Sequence, residues 1–312
     1  MLLFLTQSNY PQAAIGIEID SISVVALQRE SRGVFSLKQA ASVELPIGLV
    51  NPSFTEKNIS SPAQFRISLE EATASAGMLN QRSWSVSLPS NSARSAILTL
   101  ENGVKGKAEN EEVLDWKAEQ AFGTPAAQLR ISRHKIAPDP EGRARFLATA
   151  VKLSVIDEFE TVFEELGWKA GLILPRAICE ANWLLANGNP SDTLLISSQS
   201  DGFTAFLIRD REPNVIRTVT CTEAERDDEI YRLLMFYNDR FAENRGDLTL
   251  GTFLSIGADL VPAKIREISM EALGRALTIL RPEDVGMRLP SSGGIRFDSV
   301  AAPAALASLG WR

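Results

Sequence analysis

The chain has 312 residues, of which 45% are hydrophobic and 23% charged, with a net charge of −7. That length and balance leave room for two hydrophobic cores and exclude a disordered chain. The acidic charge excludes bulk attraction to nucleic acid or to an anionic membrane surface, and two isolated cysteines, Cys179 and Cys221, exclude a disulfide framework or a cysteine-rich zinc site.

The N-terminal run MLLFL has neither the basic flank nor the apolar length of a signal peptide, and no segment approaches the ~20 apolar residues of a membrane span. Ile15, Ile17 and Ile19 alternate as in a strand, Val24 to Leu27 return as a second strand, and Val34 to Ala40 follow as a third after the turn Ser31-Arg32-Gly33. Leu45 to Ser61, rich in Pro, Asn and Ser, reads as an irregular connection. Phe65 to Gly77 predicts a helix ended by its glycine. Trp84, Val86 and Leu88 alternate again, and Ala96 to Leu100 is a further strand.

A polar linker, residues 101–108, precedes a small unit. Leu114, Ala118, Ala121 and Phe122 share one helical face, Gly123 stands at the expected C-cap, and Pro125 blocks continuation. Leu129 to Ile136 and Arg145 to Val151 read as a hairpin. Ser154 and Asp157 have capping-box spacing ahead of an apolar stripe, Val155, Phe159, Val162, Phe163 and Leu166, that ends at Gly167. Leu172 to Leu174 is a short strand, and Ile178 to Ala186 is helical. Thr193 to Pro213 then repeats the opening strand–turn–strand pattern. Ile230, Leu233, Leu234, Tyr237 and Phe241 mark an amphipathic helix, Leu254 to Gly257 a strand, and Leu260 to Leu280 a mostly helical segment. The tail, 281–312, reads as a loop and a short Ala-rich helix.

Two similar strand–turn–strand units about 180 residues apart, each with trailing helices, point to a duplicated α/β fold with a cleft between its halves. The pattern resembles the actin-like ATPase superfamily and, within it, the type IV pilus assembly protein PilM family, related to FtsA and to the cytoplasmic domain of GspL. GIEIDSISV stands where PilM-like proteins carry a GxDxGSxSxK-type loop. LDWKAEQAFGTPAAQLRISRHKI resembles their small-subdomain helix with its following Pro and strand. DEFETVFEELGWKAGLILPRA resembles the helix, Gly and strand leading to the second half, and LLISSQSDGFTAFLIRDREP the second phosphate loop. Order and spacing carry the likeness over roughly residues 13–280.

The resemblance implies a duplicated actin-like (ribonuclease H-like) fold with an inserted small α/β subdomain. Its first core subdomain would comprise residues 1–100 and 151–190, the insertion 101–150, and the second half 191–312, with a smaller subdomain near 221–250. It also implies a site on the cytoplasmic side of the inner membrane, no span of its own, and a partner in the N-terminal cytoplasmic tail of a PilN-like bitopic membrane protein, alongside other pilus or secretion platform proteins. No nucleic acid is expected.

The superfamily's chemistry is poorly matched by these residues. Glu18 replaces the Asp that organises water around Mg²⁺. Asp20 replaces the Gly that lets the backbone approach phosphate, and Val25 stands where a Lys would be, while Ser21 and Ser23 remain. A like charge at ~4 Å costs on the order of 1 kcal/mol in water and about 4 kcal/mol at an effective dielectric of 20. In the second loop Ser197-Ser198-Gln199 replaces DxG, and Asp201 reads as the turn residue of an Asp-Gly pair. In the adenosine turn, LSIGADLVP, Gly257 survives and Ile256 takes the other glycine's place.

The degenerate nucleotide-site positions are therefore Glu18, Asp20, Ser21, Ser23, Ser197, Gln199 and Gly257. No catalytic residue, metal site or cofactor is expected, and the protein reads as a scaffold. The alternative is a PilM homologue that keeps ATP with Mg²⁺ through altered ligands and uses it to switch partner affinity. A sugar or acid kinase would need a second-loop Asp and a substrate-side acid, and neither is present. His134 has no nucleophile beside it, and Cys179 sits on an apolar stripe. Glu223 to Glu229 reads as a solvated first helical turn. Trp116 and Phe122, on the small-unit helix, are packing residues with a candidate role at a partner groove. An extended peptide is expected between the first core and the inserted unit, added to an exposed strand edge.

Overall fold

A computed structural model describes residues 10–101, 107–187, 192–209, 211–241, 250–290 and 294–311. The chain opens with strands β1 (Ala13–Ile17), β2 (Ser21–Ser31) and β3 (Val34–Glu44), an antiparallel meander whose first strand is wholly buried. Helix α1 (Pro62–Ser75) follows the irregular connection. It starts where Ser61 Oγ accepts from the Gln64 N–H at 3.4 Å and Pro62 needs no N–H partner. It ends where Gly77 turns left-handed at φ +69.

Next come β4 (Ser83–Leu88), β5 (Arg94–Thr99), α2 (Lys107–Phe122), β6 (Leu129–Ile136), β7 (Arg145–Lys152), α3 (Leu153–Glu165), β8 (Lys169–Pro175) and α4 (Arg176–Asn187). The second half has β9 (Asp192–Gln199), β10 (Gly202–Arg209), β11 (Glu212–Thr220), α5 (Arg226–Phe241), β12 (Leu250–Ile256), α6 (Pro262–Leu273) and β13 (Thr278–Ile279). It closes with β14 (Met287–Arg288) and α7 (Phe297–Leu309).

The duplication is explicit in the topology. The first sheet runs β14-β3-β2-β1-β4-β8 and the second β11-β10-β9-β12-β13. Apart from β14 they share one order and one pattern: an antiparallel meander, then parallel pairing across the first strand. α1 and α3 cover the outer face of the first sheet, and α5 and α6 that of the second. α4 and α7 pack on each other between the sheets, α4 against β9 and β10, α7 against β1, β2 and β4. The central apolar cluster comes from both sheets and both helices.

Several details differ from what the sequence suggests. Arg94–Thr99, read with the first core, pairs antiparallel with β7, so the small sheet is β5-β7-β6 and takes its first strand from before residue 101. The tail leaves the second half: β14 joins β3, and α7 docks on the first sheet, where Gly16 has no Cβ and Pro303 fills the space. α6 stops at Leu273 because Gly274 turns left-handed, and Thr278–Ile279 is a strand. Near residues 221–250, α5 packs with α6 on the second sheet and shares its core. Ser154 and Asp157 form no capping box, because α3 starts at Leu153 and Ser154 already lies in its first turn. That device appears instead at Thr222, whose N–H and hydroxyl both donate to Glu225 Oε2. Cys179 is a core residue as expected, and burial pushes its thiol pKa up.

Candidate functional site

The two halves face each other across an open cleft of about 420 Å³. One wall is the β1–β2 turn, held tight by the Glu18 N–H donating to Ser21 O at 2.9 Å. The other is formed by the β9–β10 turn and the loop after β12. At that loop Gly257 has φ +151, and a Cβ there would stand 2.4 Å from Ser198 Cβ. Only glycine allows this approach, which lets the Ser198 hydroxyl donate to Asp259 Oδ2 at 2.8 Å.

Of the seven expected positions, Glu18, Asp20, Ser21, Gln199 and Gly257 line the cleft. The other two are not among its lining residues. Ser23 is buried within the sheet, 3.2 Å from the Ser42 hydroxyl across the β2–β3 ladder. Ser197 is fully buried beside Glu180, in the core rather than on the cleft wall. Each shares its strand face with a cleft residue two positions away, Ser21 or Gln199, but lies deeper in the sheet, away from the strand end that borders the cleft. Ser21, nominally a phosphate ligand, donates to Asp20 Oδ1 at 2.9 Å.

The cleft also holds residues that the motifs do not name. Arg176, at the start of α4, places Nη1 3.1 Å from Glu18 Oε2 and Nε 2.7 Å from Glu180 Oε1. Its side chain is 11% exposed and that of Glu180 fully buried. Burial raises the Glu18 pKa against the pull of Arg176, with Glu180 and Asp20 adding to the rise. Burial raises that of Glu180 likewise. Burial alone would lower Arg176, but its two carboxylate partners outweigh that, so the guanidinium stays charged.

Arg226 does the same in the second half. It ion-pairs with Asp259 and donates from Nη2 to Gln199 O at 3.2 Å. This corrects the reading of Glu223–Glu229 as wholly solvated, since Arg226 is 6% exposed. Asn91, after β4, bridges the halves: Gln199 Nε2 donates to its Oδ1 at 2.8 Å, and its Nδ2 donates to Asp201 Oδ1 at 2.6 Å. The lining carries five acids (Glu18, Asp20, Glu223, Asp259, Asp298) against two arginines, a balance of −3. Among the described residues no group of three or more His, Cys, Asp or Glu is placed to hold a metal ion.

A sequence signal existed for both arginines. A cation at a helix N-terminus opposes the helix dipole and needs a carboxylate partner, and Arg176 opens α4 with Glu180 one turn on. Arg226 is the single cation in an acidic run.

A second feature lies at two sheet edges. β8 ends the first sheet and β6 ends the small sheet, and a groove of about 230 Å³ runs between them. Ile131, Ser132, Leu172 and Ile173 line it, with the Arg130–Glu160 ion pair among the lining residues. Neither residue assigned to a partner groove is among those that line it. Phe122 is 1% exposed in the core of the small unit, where the apolar face of α2 meets its sheet, and so presents no surface. Trp116 is exposed on α2 and is likewise absent from the groove lining.

The paired sheets, the two helices packed between them and the cleft define the duplicated actin-like fold. Across its length the chain is similar to a chain of the PilM–PilN type IV pilus biogenesis complex, with a TM-score of 0.74 at 14% identity over 98% of this chain and 100% of that one. Weaker similarities are to the cytoplasmic domain of EpsL, an inner-membrane component of the Vibrio cholerae type II secretion system (TM-score 0.48, 11% identity, 96% and 93% covered), and to a Bacteroides thetaiotaomicron protein with an actin-like ATPase fold (0.49, 14%, 96% and 98%). The sequence matches no protein-family model and no curated protein. No helix among the described residues is long and apolar enough to cross a membrane.

Proposed function

We propose that this protein is an actin-fold scaffold of a type IV pilus or related secretion platform, held at the cytoplasmic face of the inner membrane by its partners, without ATP hydrolysis. The observation that carries the second part is the ion pairing of the cleft. Both of its arginines are already neutralised by the protein's own carboxylates, and Asp20 adds an unopposed charge where phosphates would enter. A triphosphate brought to a lining of net −3 meets repulsion rather than a cradle.

The work of such a scaffold is binding. The groove between β8 and β6 offers two open strand edges and apolar walls, which suit the extended cytoplasmic tail of a PilN-like bitopic protein joining by strand addition. The fold shared end to end with a chain of the PilM–PilN complex supports this class of partner. A second reading keeps nucleotide in the cleft as a regulator; the open volume and the lining by Ser21 and Gly257 favour it. Titrating a PilN-like tail peptide with and without ATP–Mg²⁺ separates the two. Tail binding indifferent to ATP supports the scaffold, ATP-dependent binding supports the second reading, and no tail binding in either condition removes the pilus-partner assignment.

A further inference from the structure

The cleft and the β6–β8 groove share a wall. Residues 89–93 join β4 of the first sheet to β5 of the small sheet, and so connect the two bodies that the groove separates. Leu88 and Ala93, at the two ends of this connection, line the groove, while Pro89, Ser90 and Asn91 line the cleft. The neighbouring strand end divides in the same way, with Pro175 in the groove lining and Arg176 in that of the cleft. The small unit's other chain connection is Lys152 to Leu153, where β7 runs straight into α3.

The connection is gripped from both sides. Behind it, the hydroxyl of buried Ser92 donates to Asn58 Oδ1 at 2.6 Å. Asn58 is buried too, and its N–H and that of Ile59 donate to the Glu158 carboxylate at 3.1 Å. Glu158 lies on α3 between Ile156 and Glu160, which line the groove. In front, Asn91 spends both ends of its amide on the second half, accepting from Gln199 Nε2 and donating to Asp201 Oδ1. Ser92 is thus a pivot fixed to the first half, and Asn91 is a stop that keeps the connection from turning about it.

We propose that Asn91 is a clasp that regulates the groove. Fastened to Gln199 and Asp201, it holds the small unit close to the first sheet; released, it lets the groove widen to admit the tail. The clasp's role rests on the reading of the groove as the tail site. The groove's volume is about 230 Å³, below the roughly 300 Å³ at which ligand sites begin. A strand lying between two edges needs about 10 Å, twice the strand spacing. Admitting one moves β6 away from β8 and turns the connection at Ser92. Hydrogen bonds of 2.6 and 2.8 Å are lost on a displacement of about 1 Å. Coupling of this kind is reciprocal, so a bound tail loosens the clasp as much as the clasp disfavours the tail. The switch needs no nucleotide, because both of its parts belong to the chain.

The test titrates the full chain calorimetrically with a synthetic PilN-like tail peptide, using the parent, Asn91→Ala, Asp201→Ala and the double variant. Asn91→Ala is expected to bind the peptide about fivefold tighter than the parent. Asp201→Ala is expected to bind tighter as well, and the double variant to match Asn91→Ala, because Asp201 acts only through that side chain. Asp201 lies in an exposed turn, so its variant carries the test should Asn91→Ala fold poorly. Asp201→Asn keeps an oxygen acceptor and is expected to stay near the parent. Hydrogen exchange at residues 198–202 is expected to quicken in free Asn91→Ala, and in the parent once the peptide is bound. Unchanged or weaker binding by the alanine variants, or additive gains in the double variant, overturns the clasp. Failure of the parent and of every variant to bind the peptide overturns instead the reading of the groove on which the clasp rests.

Discussion

Arg176 Nη1 lies 3.1 Å from Glu18 Oε2, joining the helix that links the halves to the first turn of the opening meander. The acid that would organise a metal's water shell in an ATPase here binds a fixed internal cation. The same guanidinium holds Glu180 Oε1 at 2.7 Å, so one cation serves a half-buried carboxylate on the cleft wall and a fully buried one behind it.

Removing the cation leaves two carboxylates facing each other with no counter-charge. Breaking a buried ion pair by deleting one partner costs on the order of 3–5 kcal/mol, because the remaining charge stays desolvated. Arg176→Gln is expected to lower stability by about that amount. The midpoint of urea unfolding, compared at constant slope, reads it directly.

The pH dependence follows from the direction of the shifts. Glu18 and Glu180 are both raised above 4.5, so the folded state holds their protons more tightly than the unfolded chain does. Their stabilising contribution is complete below pH 4.5 and is lost as pH rises through the folded-state values. Because the two acids interact, they titrate as a pair. Glu180→Gln keeps an oxygen acceptor for Arg176 and removes one titrating group. It is expected to flatten the fall of stability above pH 4.5, measured as unfolding midpoints of variant and parent across the range.

α7 owes its place to a missing atom. A Cβ on Gly16 would lie 2.9 Å from Pro303 Cδ, in a region where both β1 and α7 are buried. Gly16→Ala is expected to cost about 1–3 kcal/mol through overpacking. A lower melting temperature, with faster hydrogen exchange across α7, would locate the effect at the junction of tail and first sheet.

The strand-edge groove can be blocked without touching a core. Ser132 is exposed on β6 and lines it. Ser132→Trp is expected to fill the groove and weaken a PilN-like tail peptide by about tenfold or more, while circular dichroism stays unchanged. Isothermal titration with the tail peptide checks this, and an undiminished affinity removes the groove from the binding surface.

Much of the fold is legible in the chain because its signals are local. The alternation at Ile15 and Ile17, the stripe from Val155 to Phe163 and the glycine at 123 each specify their element without distant help. The topology of the edges is not local. Nothing in Arg94–Thr99 says that it pairs with β7 rather than extending the first sheet, and nothing in the Ala-rich tail says that it returns to Gly16. The site divides in the same way. Motif spacing finds Glu18 and Gly257. It misplaces Ser23 and Ser197, which lie inside the sheet two residues beyond the strand ends that border the cleft, and Phe122, whose helical face turns it into a core. Arg176, Arg226 and Asn91 reach the cleft only through packing of elements far apart in sequence.

The central claim is that the cleft's own ion pairs occupy the place of nucleotide chemistry. Isothermal titration of the full chain with ATP and Mg²⁺, followed by a phosphate-release assay on the same sample, tests it most directly. The expected result is no saturable heat and no phosphate release above buffer. Saturable micromolar binding accompanied by steady release would contradict it.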